Sequence, residues 1–206
     1  MSRTATTASP FTSWAPWFDE SALQSLLFEP THRAVRQQLH LHAPRGGRML
    51  DVGCGTGRLL QSAGQWYSPL IGVDPCIEML QTARARSASD ARRLVPMFVG
   101  AKAERLPFAD GAFDVVTSTL SLRHWNDPSR GLRELVRVLS ATGTLVLADA
   151  EVESTPPPRH RWRLRRPVGR LRLLVAQSGL TVIDGQEPLV RGPVPRVQVL
   201  TARHRR

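Results

Sequence analysis

Two aspartates and three glycines in this chain have the types and spacing to bind a charged nucleoside. Asp51 lies in the short apolar run Met49-Leu50-Asp51-Val52, and Gly53-Cys54-Gly55-Thr56-Gly57 follows directly. Glycines at alternate positions permit positive φ and remove the Cβ atoms that would hold a ligand off the backbone. Placed at a strand's C-terminal end and facing a helix N-terminus, such a turn suits a nucleotide-sized ligand. The dinucleotide fingerprint needs a glycine at its sixth position; here that position is Arg58, and Gly57 comes one residue early. A carboxylate at Asp51 repels a pyrophosphate and attracts an ammonium. The pattern therefore points away from dinucleotides and towards a nucleoside that carries an amino acid. Taken alone, the three glycines also fit an ordinary strand-to-helix turn, the lesser of the two readings. Asp74, which ends Leu70-Ile71-Gly72-Val73-Asp74, comes about 20 residues after the turn, where a carboxylate can meet ribose hydroxyls. Such charge-assisted bonds are about twice as strong as neutral ones.

Leu50-Asp51-Val52-Gly53-Cys54-Gly55-Thr56-Gly57 resembles motif I of the class I S-adenosylmethionine (SAM) methyltransferases. Gly72-Val73-Asp74-Pro75 matches the second motif of that family, and Glu78-Met79-Leu80 continues it. The block Ala103-Glu104-Arg105-Leu106-Pro107-Phe108-Ala109-Asp110, followed by Phe113-Asp114-Val115-Val116, resembles a third. Leu122-Arg123-His124-Trp125-Asn126-Asp127 is similar to the ubiquinone and menaquinone C-methyltransferase branch. The resemblance implies SAM as cofactor, with S-adenosylhomocysteine as product and no metal. It places Asp51, Gly53, Cys54, Gly55 and Gly57 at the turn, Asp74, Pro75 and Met79 beside ribose and adenine, and Ser118 and Thr119 near the methionine end. Lys102 stands where the family normally has an aspartate for the adenine amino group. Lysine has no acceptor to offer, so adenine then falls to backbone groups around Ala103 or to another side chain; Glu104 is a further cofactor-side residue of that block. Met79 can also be a plain core residue. Trp14-Ala15-Pro16-Trp17-Phe18-Asp19-Glu20 is similar to a family segment that folds over the cofactor as a lid, with Phe18 where tyrosine is common. These aromatics can equally anchor an N-terminal helix.

The elements that must position these residues can be read from hydrophobic pattern and punctuation. Helices are expected over Thr31–Leu41, from Arg58, over Gly131–Leu139 and over Leu171–Ser178. Strands are expected at Met49–Val52, Tyr67–Asp74, Leu94–Gly100 (an edge strand because of Pro96), Phe113–Thr119, Gly143–Asp149, Leu180–Asp184 and Val194–Ala202, the last two as an antiparallel hairpin. The resemblance implies an α/β, three-layer, doubly wound Rossmann-like sheet of seven strands in the order 3-2-1-4-5-7-6, the last strand antiparallel, with a minimal substrate cap. A length of 206 residues fits a single domain able to bury its core without disulfides. Within it, residues 1–12 read as disordered, 13–46 as lid and helices, 47–150 as the cofactor core, and 151–206 as basic linker, last helix and hairpin. Between strand five and the last helix stands only Ser154-Thr155-Pro156-Pro157-Pro158 and the cluster Arg159-His160-Arg161-Trp162-Arg163-Leu164-Arg165-Arg166. The pocket is then either open or completed by a second subunit, as in a homodimer.

The formal charge is +11, carried almost wholly by arginine, Lys102 being the only lysine. Such runs serve as solvated faces, or they meet an acidic substrate, a membrane surface or RNA. No apolar run reaches the roughly 20 residues that span a bilayer, and the polar N-terminus lacks a signal-peptide core. Two cysteines, Cys54 and Cys76, have no metal-ligand spacing, and the expected setting is cytoplasmic.

For chemistry, His124 on the loop after strand four is the candidate base, and a loop histidine that merely caps local structure is the alternative. Arg123 can pair with an acidic substrate group or with Asp127; Trp125 joins Trp14 and Phe18 as substrate-side residues, and His32 and His160 are secondary. Neither an Asn/Asp-Pro-Pro-Tyr/Phe element nor a Pro-Cys nucleophile follows strand four, which disfavours nucleobase targets. Methyl transfer to carbon, oxygen or nitrogen of a small molecule is the leading expectation. An RNA methyltransferase docking through the arginine-rich segment, and a SAM-binding partner subunit without activity, are the alternatives.

Overall fold

In the computed structural model, residues 19–43, 45–88, 95–150, 171–187 and 195–205 are described. The tail 1–12, Trp14, Phe18, the proline-rich connection and the arginine cluster with His160 lie outside them. Seven strands form one sheet: β1 (Met49–Val52), β2 (Leu70–Asp74), β3 (Met97–Gly100), β4 (Phe113–Thr119), β5 (Leu139–Ala150), β6 (Leu180–Gln186) and β7 (Val197–His204). Their order is β3-β2-β1-β4-β5-β7-β6, as expected. The first five strands are parallel, while β7 runs antiparallel to both β5 and β6.

Parallel strands buried on both faces need continuous apolar runs, and β1 is buried at all four positions. Five helices cover the sheet: α1 (Glu29–His42), α2 (Arg58–Ala63), α3 (Ile77–Ala88), α4 (Pro128–Val138) and α5 (Leu171–Gln177). One face packs α1, α2 and α3 through Val35, Leu39, Leu59, Leu60, Leu80 and Ala83 against Met49, Val115 and Val146. The opposite face packs α4 and α5 through Leu132, Leu135, Val138 and Val175 against Leu50, Val116, Leu145 and Leu200. These are the two outer layers of the expected three.

Helix ends follow their residues. Asp127 caps α4 by accepting from the Arg130 amide at 3.0 Å, with Pro128 at the first position, where its missing N–H costs nothing. A π-helical turn, Gln24–Phe28, leads into α1. Strand bounds match expectation for β1 and β4 and differ for the other five, β3 and β7 each beginning three residues later than expected, and β6 and β7 each ending two residues later. β2 begins at Leu70 rather than Tyr67, whose buried ring packs into the core. β5 begins at Leu139, which pairs with Phe113 before a register shift.

Polar contacts fasten the ends of the sheet. At its base Arg48 clasps Asp114 with two side-chain bonds of 3.1 Å. On α1, His42 Nε2 lies 2.7 Å from Asp184 Oδ2, Gln38 donates to the same oxygen at 3.2 Å, and Gln38 also bonds Thr201. Helix α1 is thereby tied to the C-terminal hairpin.

Candidate functional site

The glycine-rich turn leaves β1 and enters α2. Gly53 has φ 75° and Gly57, the residue preceding α2, also has φ 75°. A side chain at Gly53 would collide with Ser121, and one at Gly57 would press on Phe98 at 3.1 Å. Glycine is required here by backbone conformation and by space together. The amides of Gly53 and Cys54 both donate to the Val73 carbonyl, at 2.7 and 3.0 Å, so the turn is docked on the end of β2.

Two carboxylates border this turn. Asp51 lies between Gly72 of β2 and Thr117 of β4, 2% exposed, and accepts from the Thr117 hydroxyl at 2.7 Å. Burial pushes its carboxyl up to about 7; the Thr117 bond opposes that rise and the nearby Asp74 charge adds to it. Among the described residues no ion pair includes Asp51. Asp74 ends β2. Its Oδ2 accepts from the Gly55 amide at 3.0 Å and its Oδ1 from the Cys76 amide at 2.8 Å. Burial raises its carboxyl, against the pull of those two amides. Two buried acids, Asp74 on a glycine amide and Asp51 with no cation paired to it among the described residues, suit a ligand that brings its own positive charge and hydroxyls.

A crevice of about 80 Å³ opens at the C-terminal ends of the central strands, lined among others by Gly53, Pro75, Lys102, Ala103, Glu104, His124 and Trp125. Its two walls are the loop after β3 and the loop after β4. They are joined by Glu104, whose Oε1 accepts from the amides of Asn126 at 2.6 Å and Asp127 at 3.1 Å. Glu104 thus clips the walls together. Lys102 is exposed and Ala103 buried, and both line the crevice.

The other expected site residues divide into those at the crevice and those turned away from it. Cys54 contributes backbone only: its thiol is buried in the core over Gly72, and burial pushes it well up. Met79 is buried on α3. Ser118 bonds Ser121 at 2.7 Å, and Ser121 reaches the Val52 carbonyl. Thr119 is 8% exposed and its hydroxyl has no hydrogen-bond partner among the described residues. Trp125 packs on α4 at Gly131, where a Cβ would overlap its ring. His32 is buried on α1, against Phe28, and desolvation lowers it to about 4.

His124 and Arg123 differ from expectation. The Arg123 Nε donates to His124 Nε2 at 3.2 Å, so that ring nitrogen already uses its lone pair. Desolvation, helped by the Arg123 charge, lowers His124 to about 4. A base with so acidic a conjugate is weak at neutral pH. Arg123 pairs with Asp149 rather than Asp127: its amide donates at 3.4 Å and its Nη1 lies 3.9 Å from the carboxylate. Asp149, buried at the end of β5, had no signal in the sequence beyond its place at a strand end.

The block Leu106–Asp110 is a fastening onto α4. Arg137 donates to the carbonyls of Leu106 at 3.1 Å and Phe108 at 2.8 Å and to Asp110 at 2.7 Å, while Glu134 accepts the Leu106 amide at 2.9 Å. No group of three or more His, Cys, Asp or Glu placed to hold a metal occurs among the described residues.

Residues 50–147 match the family described as a methyltransferase domain. An O-methyltransferase of Aspergillus nomiae is 30% identical over 179 residues, covering 82% of this chain and 80% of that protein. The chain belongs to the class I SAM-dependent methyltransferases. Within this family it is also 37% identical over 135 residues to a demethylmenaquinone methyltransferase of Thermus thermophilus, over 65% of this chain and 59% of that protein. The chain spans about half the length of the first curated relatives it matches, 43% in the case of the Clavibacter sepedonicus demethylmenaquinone methyltransferase. A SAM-dependent methyltransferase from Aquifex aeolicus shares the methyltransferase fold with a TM-score of 0.71 at 18% identity, covering 93% of this chain and 97% of that one.

Proposed function

We propose that this protein transfers a methyl group from SAM to a small-molecule acceptor. The observation that carries the reading is the pair of buried carboxylates, Asp51 and Asp74, on either side of a turn whose glycines leave room for a ligand. Asp51 is suited to the cofactor's ammonium group, Asp74 to its ribose hydroxyls, and the backbone at Ala103 to its adenine, with Thr119 and Ser118 towards the methionine end. SAM supplies a methyl group on a sulfonium, already activated for displacement. The protein's part is to exclude water and to hold the acceptor in line, which is worth up to roughly 7–11 kcal/mol. No strong base is required of the chain unless the acceptor must lose a proton, which accords with the engaged Nε2 of His124.

A small-molecule acceptor is supported by relatives named for menaquinone precursors and for O-methylation. The test has two stages. Calorimetry should show SAM and S-adenosylhomocysteine binding; absence of both overturns the cofactor reading. Enzyme with SAM should then raise one component of a metabolite extract by the mass of a methylene. Label from methyl-tritiated SAM entering RNA and no metabolite would replace small molecules by RNA as acceptor. Cofactor binding without transfer into either would leave a SAM-binding subunit.

A further inference from the structure

A third carboxylate touches the glycine-rich turn, from the N-terminal segment that resembles the family's lid. Asp19 lies ahead of the π-helical turn, and its side chain is 12% exposed. Its Oδ1 accepts from the Thr56 hydroxyl at 2.8 Å and from Arg58 Nε at 2.7 Å. Its backbone carbonyl accepts from Arg58 Nη2 at 3.1 Å, and its Oδ2 accepts from Arg86 on α3. Thr56 is the one hydroxyl-bearing residue of Gly53–Gly57 and is 2% exposed. Asp19 therefore holds the turn through Thr56, the start of α2 through Arg58, and the last turn of α3 through Arg86. Asp74 holds the same turn from the other side, through the Gly55 amide.

We infer that Asp19 is a positioning residue for the cofactor, clamping Thr56, Arg58 and Arg86 so that the glycine-rich turn is shaped before the ligand arrives. This rests on the reading of that turn as the SAM site. A five-residue turn with three glycines has much backbone freedom to lose. Whatever order the protein imposes beforehand is subtracted from the entropy lost on binding. Backbone bonds alone fix Gly53, Cys54 and Gly57; the middle of the turn depends on the two carboxylates. Removing the Asp19 charge takes away the acceptor that Thr56, Arg58 and Arg86 share, and with it the link between the turn and the two helices.

The test compares the full-length protein with Asp19→Asn, Asp19→Glu and Thr56→Val, the last removing the hydroxyl while keeping the shape. S-adenosylhomocysteine is the probe, read by calorimetry and by stopped-flow dissociation. Bonds to a charged, mostly buried group predict that Asp19→Asn weakens binding about tenfold or more, with dissociation faster in proportion. Asp19→Glu should recover part of the loss, and Thr56→Val should lose several-fold. Raising the salt concentration should speed dissociation from the wild type more than from Asp19→Asn, since only the wild type retains the ion pairs. Amide exchange without ligand gives an independent reading: the amides of residues 55–58 should exchange about tenfold faster in Asp19→Asn. Faster exchange with no binding even to the wild type would keep the clamp and reject the cofactor. Folded variants with wild-type exchange and affinity within twofold would overturn the inference. So would a lowered melting temperature with unchanged dissociation, which would mark Asp19 as structural only.

Discussion

The ionisation of Asp51 gives the sharpest prediction. Burial raises this carboxyl to about 7, so in the free protein it carries its charge only above that pH. A ligand ammonium that needs the ionised form binds with an apparent Kd multiplied by one plus the ratio of protonated to ionised carboxyl. With half-ionisation at about 7, affinity should be about eightfold weaker at pH 6 than at pH 7.5. The ligand's ammonium, held by its own neighbouring carboxylate, keeps its proton through about pH 8. Titration of S-adenosylhomocysteine by calorimetry from pH 5.5 to 8 should thus rise to a plateau, and Asp51→Asn should lose the acid limb. Stability moves the opposite way. A carboxyl raised on folding contributes stability that is full below its unfolded pKa and is lost as pH rises through the folded value. From 3.8 to about 7 that loss is about 4 kcal/mol at most. At pH 7.5 Asp51→Asn should therefore raise the ligand-free melting temperature by several degrees while it weakens the ligand. A flat wild-type profile, or an Asp51→Asn protein with the same acid limb and no gain in stability, would refute the assignment of Asp51 to a cationic group.

Asp74→Ala should abolish measurable cofactor binding while the sheet still folds; retained affinity by calorimetry would remove the ribose assignment. Replacing Gly131 by Ala drives a Cβ into the Trp125 ring and should cost roughly 1–3 kcal/mol of stability, as overpacking does, read as a lower midpoint in urea. His124→Ala should leave kcat within several-fold of wild type at pH 7.5, because its Nε2 is engaged by Arg123. Arg123→Ala should instead lower the melting temperature, since it strips the nearest guanidinium from the buried carboxyl of Asp149; equal effects of the two substitutions on stability would contradict this.

The strands, the glycine-rich turn and the run of helices were legible because each rests on local signals: apolar runs, glycines at strand ends, an Asp-Pro helix start; the sheet order came only with the family resemblance. Asp51 and Asp74 were legible for the same reason, being carboxylates at the ends of apolar strands. Contacts between residues distant in sequence left no such trace. Glu104 reads as a cofactor residue from its block, yet its carboxylate belongs to the amides of Asn126 and Asp127, two residues on a different loop. The partnership of Arg123 with Asp149 depends on β5 lying beside β4, and Asp127, the nearer acid in sequence, is taken up as a helix cap. Asp19 could not be joined to Arg58 and Arg86 by any spacing rule. The Leu106–Asp110 block looks like chemistry in one dimension and is a clasp on Glu134 and Arg137 in three.

The antiparallel β7 bears on the order in which the chain can fold. It fills the gap between β5 and β6, pairing Leu145–Ala150 with Val197–Ala202, and α1 places Gln38 and His42 on partners about 140 to 160 residues away. On a ribosome, β5 would emerge with one side unpaired and wait for the last strand. Contacts so distant in sequence are slow to close, and until they do the wall that carries Asp149 has no outer neighbour. The stretch matching the family, residues 50–147, should accordingly not fold when expressed alone: it would expose the edge of β5 to other chains, and aggregation would be its characteristic failure.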